Sequence, residues 1–280
     1  MELTAAGPLD VVEVMGAERG LFLDLLRSIE GDEWRRPTEC PAYDVQGVAA
    51  HLLGDDLSLL ARQRDAAPPG VLAVLQDGDD FRTALDRFND QWVAAARFFS
   101  PAVLIDLLAV TGAWTTEWYD AVDPQSPGEP VGFFGGAGPA PYWQVAAREY
   151  VERWVHHHQI RRALGRADLD DVTILHPAVA TVVRGIAAHL GDLGAASGTA
   201  LVIDVEEVAA WTLRRDGHGW LLFDGRAPDP AAEVGLGRGL ATPVFSRGLP
   251  ADDVRAALSC AGDPAIAAGA ASGIAALAGR

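Results

Sequence analysis

The sequence predicts a two-domain α+β protein, with a helical bundle over residues 1–168 and a small α+β domain over residues 169–280. Three observations carry this. Apolar residues recur at helical spacing through Leu164, a hairpin signal and strand-like runs appear only beyond Ala200, and the pattern changes character after Asp170. A chain of 280 residues also exceeds the size of one ordinary domain of about 100–150 residues.

Val11, Met15, Phe22, Leu25, Leu26 and Ile29 place a first amphipathic helix between Pro8 and Glu30. After the turn WRRPTECPAYD, a second helix runs from Val45 to about Arg64. Asp44 is placed to cap it, and Tyr43 and Val48 are spaced as a hydrophobic staple. Phe81, Leu85, Phe88, Trp92 and Phe99 mark a third helix, and Ser100-Pro101 is a cap and first-turn proline for a fourth over Leu104 to Trp118. The stretch Pro127 to Pro141 is rich in helix and strand breakers and reads as a long irregular loop. Its Phe133 and Phe134 either shape a pocket or belong to an unstructured connector. From Tyr142 a last bundle helix continues until Gly165 stops it.

In the second half, His176 to Leu190 predicts a linking helix. Ala200 to Val205, Ala209 to Arg215 and Gly219 to Gly225 read as strands, the last two joined through Asp216-Gly217. Ala232 to Arg238 is a weaker strand, followed by short helices at Leu240 to Ser246 and Asp252 to Leu258 and an Ala-rich helix from Pro264.

Composition excludes several functions. With 22 basic against 39 acidic groups the net charge is −17, which repels nucleic acid and anionic membrane surfaces. All basic side chains are Arg, so lysine Schiff-base chemistry is absent. The acidic N-terminal stretch does not read as a signal peptide, and a cytoplasmic location is expected. Cys40 and Cys260 are too few for a disulfide scaffold and read as reduced thiols.

Glu152 and His156, four apart on the last bundle helix, share one face. His51 on the second helix is placed to face the same interior, and two imidazoles with a carboxylate suit a divalent metal such as zinc, with positions open for another ligand. Spacing alone leaves a second reading open, with an interior His51 and an exposed Glu152/His156 pair. His156, His157 and His158 point about 100° apart along a helix, so only one of them can share an ion with Glu152. Cys40 fits packing better than reactivity. Arg148, Arg153, Arg161, Arg162 and Arg247 are candidates for a carboxylate clamp. Trp34, Trp92, Trp114, Trp118 and Trp154 fall on apolar stripes.

WRRPTECPAYDVQGVAAHLLG (Trp34 to Gly54) and EYVERWVHHHQIRRALG (Glu149 to Gly165) resemble two motifs of the mycothiol-dependent maleylpyruvate isomerase-like proteins of actinobacteria, part of the DinB-like bundle superfamily. WTLRRDGHGW and SRGLPADDVRAALSCAGDPAIA are similar to that family's C-terminal, sterol-carrier-like domain, with Gly262, Asp263 and Pro264 in its G-D-P element. The resemblance implies metal ligands at His51, Glu152 and His156, a divalent metal, zinc in most members, and mycothiol as the thiol cofactor. It further implies that a metal-activated thiolate attacks a small electrophile. Rotation and expulsion of the thiol would then give isomerisation, and retention would give S-transfer. A non-catalytic protein holding a metal or an apolar ligand is the competing expectation. Two positions depart from the pattern: Tyr43 stands where a Trp is usual, and Gln159 where an Asp is usual, so a carboxylate orienting a ligand from there is missing.

Overall fold

The computed structural model describes residues 3–191 and 193–279. They form an α+β protein with two compact units. The helical unit comprises Val12–Glu129 and His156–Ala167, and the mixed unit comprises residues up to Val11, Pro130–Val155 and the residues from Asp168 onward. This grouping differs from two consecutive segments meeting at residue 168, because both the N-terminal residues and Pro130–Val155 make their contacts with later parts of the chain.

The helical unit contains α1 (Val12–Arg27), α2 (Val45–Leu59), α3 (Phe81–Ala96) and α4 (Pro101–Ala121), together with the end of α5 (Tyr142–Ala163). Its helices start where side chains accept the first free amides. Asp44 accepts from Gly47, Asp80 from Thr83 and Ser100 from Val103. Phe22, Leu26, Trp34, Val48, Leu52, Leu104, Leu108 and Ile160 share one apolar cluster, so α1, α2, α4 and α5 close on a common core. The first helix begins at Val12, later than its apolar spacing suggests. The second helix does not end as an α-helix: Leu60–Arg64 forms a π turn, from which Arg62 and Gln63 both bond the Glu129 carboxylate.

Two buried polar groups interrupt this core. Arg19 of α1 donates to Asp56 of α2 at 2.9 Å and Thr111 of α4 donates to the other Asp56 oxygen at 2.8 Å. Glu18 of α1 meets His157 of α5. Charged residues on the apolar stripe of the first helix, between Met15 and Phe22, were the available sequence signal for both, since a buried charge must find a partner.

The mixed unit holds a six-stranded sheet. Its strands are β1 (Thr4–Ala5), β4 (Ala200–Val205), β5 (Ala209–Arg215), β6 (Trp220–Asp224), β7 (Ala232–Leu236) and β8 (Ser259–Gly262), in the order β1-β6-β5-β4-β7-β8. All neighbours are antiparallel except β4 and β7, which run parallel with Ile203 beside Val234. The β5–β6 hairpin is present as expected, its turn closed by the Asp216 carboxylate, which accepts from the amides of His218 and Gly219. Both edges were missed by the sequence reading. Gly262 needs to be glycine, because its φ is +80° and a Cβ there would meet the Ala231 carbonyl at 2.3 Å.

Helices α6 (Val172–His189), α7 (Arg238–Phe245), α8 (Ala251–Ala257) and α9 (Pro264–Ala278) complete this unit. α6 starts four residues before the expected His176, capped by Asp171. Among the described residues α6 alone has the length and apolar composition of a membrane span. It packs against β5, β6 and α9, and 56% of it is buried, the signature of a core helix.

The expectation of an irregular loop at Pro127 to Pro141 is corrected. Here β2 (Pro127–Pro130) and β3 (Pro139–Pro141) form a two-stranded sheet around a 3-10 turn at Gly132–Phe134. Prolines sit in it because a two-stranded ribbon has edges on both sides, where a missing N–H costs nothing. Phe133 and Phe134 pack with Val131, Ala140 and Val145, and Phe133 lies so close to Gly185 of α6 that a Cβ there would meet its ring at 2.6 Å.

Candidate metal centre

The loop before α2 is a built platform. Thr38 donates its hydroxyl to the Tyr43 carbonyl at 2.7 Å and accepts from the Cys40 amide at 3.1 Å, closing the turn from both ends. The Val45 amide donates to Arg36, and the Arg162 guanidinium of α5 grips both oxygens of Glu39. Tyr43 is thereby delivered to the start of α2, and its ring stacks on His51 with centroids 5.9 Å apart and planes at 25°. Its hydroxyl donates to Asp90 at 2.8 Å. Burial, and then that hydrogen bond to a carboxylate, push the phenol above its ordinary pKa, so Tyr43 stays a neutral donor.

His51 lies two turns into α2, and the His156 ring of α5 meets it edge to face at 4.9 Å. Glu152 is one turn earlier in α5. Ligand atoms of His51, Glu152 and His156 all lie within 4.8 Å of one another. The three residues that helix spacing and family resemblance single out are thus brought together. Two imidazole nitrogens and one carboxylate oxygen are a donor set that suits zinc and leaves coordination positions for another ligand.

Each of the two α5 residues has a close partner. Arg148 pairs with Glu152 Oε2 at 2.8 Å, one turn apart on the same helix. His156 Nδ1 lies 2.8 Å from Gln159 Oε1. An amide oxygen only accepts, so Nδ1 is the donor in this contact. The carboxylate expected to be missing at position 159 is replaced by a neutral amide, whose oxygen faces His156. His157 and His158 turn away, as the angular step of a helix requires, and both are buried.

Most of the remaining candidates have other employment. Arg153 pairs with Glu149, Arg161 donates to the Ala167 carbonyl beyond the end of α5, and Arg162 is committed to Glu39. Arg247 is exposed, with φ of 57°, just after α7 in the mixed unit. Cys40 is half-buried against the core, and Cys260 is exposed on β8. Trp34 and Trp154 are buried, whereas Trp114 lies on the surface with Arg64 over its ring. Position 114 is an exception to the apolar-stripe rule.

Residues 15–161 match the family model described as the mycothiol maleylpyruvate isomerase N-terminal domain. Among solved structures, that of the mycothiol-dependent maleylpyruvate isomerase is similar at a TM-score of 0.52 and 12% identity, over 89% of this chain and 92% of that one. The structure of a histidine-to-alanine mutant of that isomerase gives 0.51 at 12% identity over the same shares. At this identity the likeness establishes the two-domain fold. No curated protein matches the chain.

Proposed function

Because the chain belongs to the mycothiol maleylpyruvate isomerase family, we propose that it is a thiol-dependent isomerase or S-transferase acting on a small electrophile. In this reading His51, Glu152 and His156 hold a divalent metal, zinc by the chemistry of the donors, and mycothiol is the thiol. The observation that carries the reading is the convergence of the three ligand atoms from α2 and α5.

A bound divalent cation would stabilise a thiolate at neutral pH, the nucleophilic form of the cofactor. The protein's own residues prepare the place for it. Gln159 accepts from His156 Nδ1, which in the neutral ring would reserve the Nε2 lone pair for the metal. Tyr43 limits rotation of the His51 ring by stacking on it and is itself held by Asp90. Two neutral imidazoles and one carboxylate leave a divalent ion with net positive charge, which favours an anionic sulfur ligand over a neutral one.

Elemental analysis of the wild type and of His156→Ala, each then titrated with mycothiol, tests the proposal. Stoichiometric zinc in the wild type, lost in the variant together with thiol binding, is the expected result. Protein that takes up no metal even after reconstitution would overturn it.

A further inference from the structure

Two adjacent carboxylates on α2 are in opposite circumstances. Asp56 faces the core, and each of its oxygens accepts a hydrogen bond, one from Arg19 and one from Thr111. Asp55, about 100° away around the helix, has its Oδ2 sealed from solvent and accepts no hydrogen bond there. A buried carboxylate oxygen without a donor is costly, and in a folded protein such an atom calls for a function.

Its position says which function. Asp55 lies four residues after His51, so the two side chains project from one face of α2 with Cβ atoms about 5–6 Å apart. Ser58, next on that face, accepts from Arg62, which in turn holds Glu129. Asp55 is not a member of the ligand set itself, because the donor atoms within 4.8 Å of one another belong to His51, Glu152 and His156. A carboxylate one turn from a metal ligand, outside that set and with an acceptor to spare, is placed to meet what the metal holds rather than the metal. The residue as a whole is only partly buried, and a carboxylate turns easily about χ2, so either oxygen can face the open side.

We propose, resting on the metal reading above, that Asp55 determines which thiols the site takes. It accepts a hydrogen bond from an N–H or O–H that the thiol carries a few bonds from its sulfur. Thiols with an amide or hydroxyl in that place, as in cysteine derivatives, are selected over plain alkyl thiols. Oδ2 is already desolvated in the folded protein, so the incoming donor makes a charge-assisted bond in surroundings that strengthen it.

The test uses two small thiols of nearly the same shape, N-(2-mercaptoethyl)acetamide and 2-mercaptoethyl acetate, which differ by one N–H. Their affinities for the zinc-loaded full chain are measured by calorimetry. The wild type is expected to prefer the amide by about ten- to a hundred-fold, the worth of a hydrogen bond to a charged group. Asp55→Leu is expected to retain zinc and to bind the two thiols alike, and Asp55→Asn, which keeps a neutral acceptor, to fall between. A packing role would weaken both thiols equally and leave the preference intact, which overturns the inference. Should Asp55→Leu fail to fold by circular dichroism, Asp55→Asn and the wild-type comparison, which needs no variant, carry the test. Zinc-loaded wild type that binds amide and ester equally overturns this inference alone. Wild type that takes up no zinc overturns both this inference and the proposed function.

Discussion

His157 Nδ1 lies 2.7 Å from Glu18 Oε1, and the two side chains are 0% and 1% exposed. The edge of Phe22 closes over the imidazole at 5.3 Å, so the pair has only itself for a partner at that atom. Removing Glu18 orphans a buried ring nitrogen. Glu18→Leu is expected to lower stability by about 3 kcal/mol, and Glu18→Gln, which keeps an acceptor, by about 1 kcal/mol. Urea unfolding followed by circular dichroism checks both, and equal losses would show that packing rather than the hydrogen bond is at stake.

The Arg19–Asp56–Thr111 cluster ties three helices together. Asp56→Ala strands a guanidinium that is otherwise sealed in the core, and a loss of about 3–5 kcal/mol follows. Gly112→Ala attacks the same group from the other side, since its Cβ would lie 2.9 Å from Arg19 Nε. That substitution is expected to cost about 1–3 kcal/mol. Because both act on Arg19, the double variant should lose less than the sum of the two, in contrast to distant substitutions, which add.

Acid sensitivity should arise in the mixed unit. Burial first, then the charge of Arg184, lowers the pKa of His176, with Asp224 opposing. The folded state therefore binds this proton more weakly than the unfolded chain, whose imidazole titrates at about 6.5. Stability from this source is complete above that pH and falls as the pH drops through it towards the folded value. His176→Phe retains a ring against Trp211, now 5.9 Å away, and removes the titration. Melting temperatures of wild type and variant between about pH 5 and 8 should converge in slope only at the alkaline end.

Gly54 of α2 lies under the Trp92 indole, where a Cβ would come within 2.4 Å of the ring. Trp92 also donates to the Ala50 carbonyl at 2.7 Å, fixing α3 against α2. Gly54→Ala should displace the indole, cost about 1–3 kcal/mol and change the near-ultraviolet circular dichroism of the tryptophans. An unchanged spectrum with unchanged stability would show that α3 yields freely there.

The helices were legible because their apolar residues repeat at helical spacing and Asp44 and Ser100 announce their starts. Strands β4, β5 and β6 were legible from branched and aromatic residues around Asp216-Gly217. Thr4–Ala5 and Ser259–Gly262 were not, since small residues carry no strand pattern and pair only because a neighbouring backbone offers the ladder. The proline-rich hairpin was hidden for a related reason: its residues resist regular structure individually, and a ribbon of edges tolerates them.

At the candidate site, the spacing of Glu152 and His156 places them on one face but says nothing of what faces them; His51 is joined to them by tertiary packing. Gln159 shows the limit of reading by motif. A substitution of amide for carboxylate looks like the loss of an interaction, while the hydrogen bond to His156 persists and only its charge is gone.

The π turn at Leu60–Arg64 records how this helix accommodates length. An α-helix absorbs one additional residue by widening a single turn, leaving the segments on either side in their own registers. Removing Ala61 should therefore restore an ordinary turn without disturbing the Asp44 cap or the face that bears His51. It would rotate Arg62 and Gln63 away from Glu129, the last residue of the helical unit's long segment. One residue of chain length thus separates a helix that simply ends from one that fastens Glu129 of β2.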